Sequence, residues 1–161
     1  ALTSLHASNS PIVHSDINPE NIIINDFGQV ILIDFGCAHI KTQATDESFF
    51  WVSKPSYLSP EQAQGKCWDE RSDIYQAGVV FYELITGKKW VKGNTAEERI
   101  AHAASIKPVP GHFLAPIIGS ELSKYFAQML HPDPKARIQS ANEAFQWIQE
   151  IIGKEPIFQN I

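Results

Sequence analysis

Apolar positions along the chain fall into blocks of different period. Ile22-Ile23-Ile24 and Val30-Ile31-Leu32-Ile33 are β-branched runs flanking Asn25-Asp26-Phe27-Gly28, a turn-forming cluster, so the pattern predicts a β-hairpin. Ahead of it, Ala1 to Pro11 is helix-compatible but opens without an N-cap. From His39 to Gly65 periodicity is lost and Pro55 and Pro60 interrupt the backbone, which predicts a loop. A helix follows from Asp73 to Ile85, with Asp73 as N-cap and Gly87 as C-cap. It is apolar on nearly every face and is expected at the centre of the core. Thr95 with Glu98 caps a helix to about Ser105, and Lys107 to Gly119 reads as loop. Another helix starts at Ser120 and ends near His131. Ser140 with Glu143 caps a last one, with Ala144, Ile148 and Ile151 or Ile152 on one face and Gly153 as its stop. The expected fold class is mainly α with a small β-hairpin.

Composition narrows the function more than the fold. The chain has 161 residues, 43% hydrophobic and 19% charged, an ordinary globular mix long enough to bury a core. Its net charge of −5 argues against a non-specific grip on nucleic acid or anionic lipid. No apolar run is long enough for membrane insertion, and no basic-then-apolar leader stands at the front. The cysteines, Cys37 and Cys67, form no disulfide framework, so a reducing, cytoplasmic setting is expected.

The candidate chemistry clusters around the hairpin. Asp16 and Asn21 precede it and Asp34 follows it, so folding the hairpin brings carboxylates and an amide oxygen to one edge. Oxygen ligands of this kind suit Mg²⁺, which takes one or two carboxylates and completes its shell with phosphate and water. Taken singly, each of these residues reads as a turn cap or a strand end. The constellation is what points to a site.

His14-Ser15-Asp16-Ile17-Asn18-Pro19-Glu20-Asn21 resembles the catalytic loop H-R-D-x-K-P-x-N of eukaryotic-like (Hanks-type) serine/threonine protein kinases. Asp34-Phe35-Gly36 looks like the D-F-G motif, and Ser59-Pro60-Glu61 like A-P-E. Asp73-Ile74-Tyr75-Gln76-Ala77-Gly78 is similar to the start of the family's central helix, and Arg137 to the arginine that pairs with the A-P-E glutamate, here Glu61. Asp26-Phe27-Gly28 also spells D-F-G, but it lies where the hairpin needs its turn. The run Tyr57-Leu58-Ser59-Pro60-Glu61-Gln62-Ala63 resembles bacterial members most.

The resemblance implies a protein-kinase-like fold and, over residues 1–161, its C-terminal lobe alone. The catalytic loop falls at 14–21, the activation segment at 34–61, the central helix at 73–87 and a helical subdomain at 95–153. It implies ATP and Mg²⁺ as cofactors and a protein substrate, read by the 48–60 loop and the Lys89–Lys107 region. Asp16 would orient and deprotonate the substrate hydroxyl, while Asn21 and Asp34 would hold Mg²⁺ against the ATP phosphates. His14 is expected to pack and hydrogen-bond, and Asp73 to brace the catalytic loop from below.

Three positions depart from the family. Ser15 replaces an arginine that binds an activation-loop phosphate, so activity should not depend on phosphorylation of Thr42, Thr45, Ser48 or Ser53. Asn18 replaces the lysine that neutralises the transferring phosphoryl group, a loss worth on the order of 10²–10³ in rate. Lys54 stands where a threonine bonds the catalytic aspartate, which raises a compensating swap: Lys54 reaches back to Asp16 and restores the charge. A plain surface lysine is the alternative.

No glycine-rich loop, strand lysine or partner glutamate precedes the catalytic loop, so the N-terminal kinase lobe is expected to be missing. Such a lobe alone should be inactive and should self-associate through apolar surface. Beside an active parent kinase stand two other readings: a pseudokinase that binds Mg–ATP as a scaffold or switch, and a lobe-only interaction module.

Overall fold

The computed structural model describes residues 1–7, 10–40 and 54–154; Thr42, Thr45, Ser48 and Ser53 lie outside them. The elements are α1 (Leu2–His6), β1 (Ile12–Val13), β2 (Ile22–Ile24), β3 (Val30–Leu32), β4 (His39–Ile40), α2 (Pro60–Ala63), α3 (Glu70–Thr86), α4 (Ala96–Ser105), α5 (Ala115–Ile118), α6 (Ser120–Met129) and α7 (Ala141–Lys154). Short 3₁₀ turns occur at Pro19–Asn21 and Pro134–Ala136.

The hairpin forms where the β-branched runs place it. β2 and β3 pair antiparallel with Ile22 opposite Leu32 and Ile24 opposite Val30. Asn25 closes the turn, its Oδ1 accepting the N–H groups of Phe27 at 3.0 Å and Gln29 at 2.9 Å, and Gly28 takes φ 73°. Asp26-Phe27-Gly28 is therefore a turn. A second ladder pairs β1 with β4, with Val13 opposite His39. That pairing corrects the loop expected from His39 onward: strands this short carry no period, and only the tertiary pairing defines them.

Further corrections concern helix ends. α3 begins a turn earlier than expected, because Asp69 rather than Asp73 is its N-cap, accepting the Arg71 N–H at 3.0 Å. Asp73 thus lies inside the first turn, with its carboxylate available for other work. Gly87 is the C-cap as expected, at φ 65°. Ser59 and Gln62 form a reciprocal capping box that starts α2 within the expected loop. α5 interrupts the expected 107–119 loop, and α7 runs through Gly153 to Lys154.

α3 runs between two apolar clusters. Ile74 faces Leu114, Tyr125, Phe126, Met129, Ile138 and Ile151, while Tyr75, Val79 and Val80 face Ile17, Tyr57 and Leu130. Gly78 lets α6 come close: a Cβ there would lie 3.1 Å from that of Met129. Only the first two-thirds of α3 fulfils the expectation of a central helix. Phe81 and Leu84 are exposed, and with Leu2, Ile22, Val30 and Leu32 they line an apolar cavity of about 430 Å³ beside the hairpin.

Candidate functional site

The residues from His14 to Asn21 form a loop held mainly through its backbone. Asp73, wholly buried, accepts the N–H groups of His14 and Ser15 at 2.8 Å each, and its Oδ2 also meets His6 Nε2 at 2.9 Å. Gln76, one turn on, accepts the Ile17 N–H at 2.8 Å and donates to the Ser15 carbonyl at 2.9 Å. Gln62 donates to that same carbonyl at 3.0 Å. These anchors hold Ser15 at φ 68°, a left-handed conformation unfavourable for a side chain with a Cβ. Asp73 therefore accepts from the backbone of this loop at two successive residues. Gln62 and Gln76 are supports that sequence reasoning passed over, although Gln76 lies three residues after Asp73 on one face of an otherwise apolar helix.

Asp16 sits at the centre. Its Oδ2 accepts from Asn21 Nδ2 at 2.9 Å and its Oδ1 from the Lys54 N–H at 3.3 Å. Asn21 Nδ2 also donates to the Asp16 carbonyl at 2.9 Å, and its Oδ1 has no partner among the described residues. Asn18 is wholly buried; its Nδ2 donates to the Asp16 carbonyl at 3.0 Å and its Oδ1 caps the 3₁₀ turn through the Glu20 N–H at 3.0 Å. That amide is committed to the backbone.

Lys54 reaches Asp16 with its N–H, while its ammonium pairs with the Glu20 carboxylate. In this geometry the swap expected of its side chain is not made: the charge sits on Glu20.

Asp34 follows the hairpin at φ 59°, the only described residue besides glycines and Ser15 with a left-handed backbone. It is exposed, and its Oδ1 accepts the Gly36 N–H at 3.1 Å. The preceding residue ties it to the loop. The Ile33 N–H donates to the Asn21 carbonyl at 3.0 Å, and the Ile33 carbonyl lies 3.1 Å from His14 Nε2. His14 is buried, and its ring lies 4.9 Å from that of Phe35 between centroids.

The side chain of Ser15 closes a small polar cluster. Its Oγ accepts from Trp68 Nε1 at 2.9 Å and lies 3.1 Å from His39 Nδ1. Burial lowers the His39 pKa, outweighing the nearby Asp73 charge, so the imidazole favours its neutral form.

Glu61 and Arg137 form a buried two-pronged pair at 2.8 and 3.0 Å. Ser72 Oγ donates to Glu61 at 2.6 Å, and the guanidinium lies 4.9 Å from the centroid of the Tyr75 ring. Burial alone would raise the Glu61 carboxyl, but Arg137, helped by Ser72, holds it below the ordinary carboxylate range. Cys37 is buried and Cys67 exposed, and neither forms a disulfide among the described residues.

This arrangement joins a carboxylate, an amide oxygen and a second carboxylate to a loop held through its backbone. The model of the protein kinase domain matches residues 1–148. The chain belongs to the protein kinase domain family. The chain is 36% identical over 139 residues to a probable serine/threonine-protein kinase PknB of Corynebacterium glutamicum, covering 82% of the chain and 22% of that relative. It is 34% identical over 146 residues to a probable serine/threonine-protein kinase of Clostridium acetobutylicum, covering 90% of the chain and 22% of that relative. Serine/threonine-protein kinase pkn3 of Myxococcus xanthus is 32% identical over 167 residues, covering 96% of the chain and 30% of that relative. The chain thus spans less than a third of the length of each of these bacterial relatives. Among its described residues no helix is long and apolar enough to cross a membrane.

Proposed function

We propose that this chain is the C-terminal lobe of a serine/threonine protein kinase whose full-length form transfers the ATP γ-phosphate to a protein hydroxyl. Asp16 is the group that orients the acceptor hydroxyl and takes its proton: it lies at the loop's centre, its oxygens fixed by Asn21 and the Lys54 N–H. The donor set also fits Mg²⁺. Asn21 offers an uncommitted Oδ1 and Asp34 an exposed carboxylate beside it in the chain's hydrogen bonding, a sparse oxygen set of the kind Mg²⁺ takes when phosphates and water complete its shell. When bound, that ion neutralises charge on the phosphates. The single observation carrying the reading is the Asp73 carboxylate under the His14–Ser15 backbone, which presents Asp16 from a rigid base.

The deciding experiment is phosphate transfer from labelled ATP by the full-length protein beside its Asp16→Asn variant. Transfer abolished in the variant supports the reading. Nucleotide binding without transfer supports a pseudokinase instead, and one observation favours it: Asn18 brings no charge, and its amide is bonded to backbone. The isolated lobe is inactive in either case, because positioning by both lobes supplies most of the catalysis. It also self-associates through the apolar cavity bearing Phe81 and Leu84. Sedimentation should show a concentration-dependent mass that Leu84→Glu lowers; a monomer at all concentrations refutes this.

A further inference from the structure

A second cavity lies away from Asp16, between the end of α3, the segment after it and the end of α4. It has a volume of about 310 Å³ and a composition unlike the rest of the molecule. Lys89, Lys92 and Lys107 line it and no carboxylate does, although the chain carries a net charge of −5. Lys89 is neutralised from behind by Glu83 at 2.7 Å. Lys92 and Lys107 are exposed and make no ion pair among the described residues, so the cavity keeps an uncompensated positive charge.

Its aromatic wall is rigid. The rings of Tyr82 and Trp90 meet edge to face at 4.9 Å, and Trp90 Nε1 is tied to the buried Tyr75 hydroxyl at 2.9 Å. A preformed aromatic wall beside free ammonium groups makes a receptor for an anion attached to something larger, not a solvated lysine face.

Its wiring to the catalytic loop indicates what that larger body is. Lys89 donates to the Tyr57 hydroxyl at 3.1 Å, and Tyr57 in turn donates to Glu83 at 2.8 Å. Tyr57 closes a turn on the Lys54 carbonyl at 3.0 Å, and the Lys54 N–H touches Asp16. The cavity wall is therefore hydrogen-bonded, through Lys89, to the segment whose backbone meets Asp16. We propose that it is a docking pocket for an acidic segment of the protein substrate, whose carboxylate or phosphoryl side chains meet Lys92 and Lys107 while a neighbouring side chain packs on Trp90. This rests on the kinase reading and names the substrate class for it.

The test uses the full-length protein and paired peptides with one acceptor hydroxyl, carrying either glutamates or glutamines away from it. The glutamate peptide should have the lower KM. Lys92→Ala/Lys107→Ala should raise that KM roughly five- to tenfold, as expected for two solvent-screened charge contacts, with kcat and the glutamine peptide unaffected. Lys92→Glu/Lys107→Glu should reverse the preference toward peptides with arginines at those positions. Equal KM values for the paired peptides, or a preference that both double variants leave intact, overturn the proposal. Replacing glutamate by phosphoserine should preserve or strengthen it. Loss of discrimination in millimolar inorganic phosphate would assign the cavity to a free anion and overturn the peptide assignment. Binding of the same peptides to the Asp16→Asn protein, followed by tryptophan fluorescence, needs no phosphoryl transfer. A glutamate preference there supports the docking pocket even if the protein proves not to be an enzyme, and its absence refutes the pocket alone.

Discussion

Changing Asp73 to asparagine keeps the side chain's shape and removes its ability to accept on both sides. The carboxylate takes two backbone N–H groups at 2.8 Å and meets a histidine nitrogen at 2.9 Å, all from a wholly buried position. An asparagine can offer its oxygen to Ser15 or to His14 but must then point an NH₂ at the other donor. A hydrogen bond to a charged group contributes about 1.5–3 kcal/mol, and a buried donor left without an acceptor costs about 1–3 kcal/mol. The sum, roughly 2.5–6 kcal/mol, is a large part of the ~5–15 kcal/mol that holds a domain together. With a urea slope of about 2 kcal/mol/M, the unfolding midpoint followed by circular dichroism should fall by roughly 1.3–3 M. Asp26→Asn, on the exposed hairpin turn, is the control and should stay within about 0.5 kcal/mol of the parent. A midpoint for Asp73→Asn within ~0.5 M of the parent would show that the carboxylate does not hold the loop, and the account of how Asp16 is presented would fall with it.

Other expectations follow from the same contacts. Arg137→Ala strands a buried carboxylate and should cost about 3–5 kcal/mol by denaturant titration, with Arg137→Lys recovering part of it. Because the Glu61 pKa is lowered in the fold, this pair's stabilisation is complete above the ordinary glutamate value and is lost as pH falls through the lower folded one; Glu61→Gln should flatten that acid limb. The His39 pKa is also lowered, so its contribution is complete above the ordinary histidine value near 6.5 and declines as pH drops below it. His39→Gln should remove that part of the slope, and an unchanged profile refutes the assignment. Phosphatase treatment of the full-length protein should leave its transfer rate within about twofold, since Ser15 carries no charge to pair with a phosphate; a large drop would show that another cation has taken the arginine's place.

The sequence carried some of this well and some of it not at all. The hairpin was legible because both runs are β-branched and Asn25 through Gly28 can only turn, and α4 and α7 were legible from caps of Thr95 with Glu98 and Ser140 with Glu143. Glu98 and Glu143 show the limit of that reading: their carboxylates accept from Asn94 and Gln139, one residue ahead of the cap. The start of α3 was misplaced because Asp69 and Asp73 are equally good caps in isolation, and only the neighbouring guanidinium of Arg71 and the loop above decide between them. The motif residues were placed by resemblance, and in the structure Asn21 bonds Asp16 and Arg137 pairs with Glu61. The direction of the Lys54 side chain was not legible, since a flexible lysine chooses between Asp16 and Glu20 by local geometry that spacing does not encode. The basic cavity was equally hidden, because Lys92 and Lys107 become neighbours of one space only when α4 folds back toward α3.

The way Asp73 grips the loop has an evolutionary consequence. It binds amide hydrogens, which every residue other than proline supplies, and so is indifferent to the side chains of the residues it fixes. Position 15 can exchange a cation for a hydroxyl without loosening Asp16, and the new hydroxyl can then recruit Trp68 and His39. The placement of Asp16 and the chemistry of the side chain beside it are thereby separable: a single substitution at position 15 changes the second and leaves the first where it was.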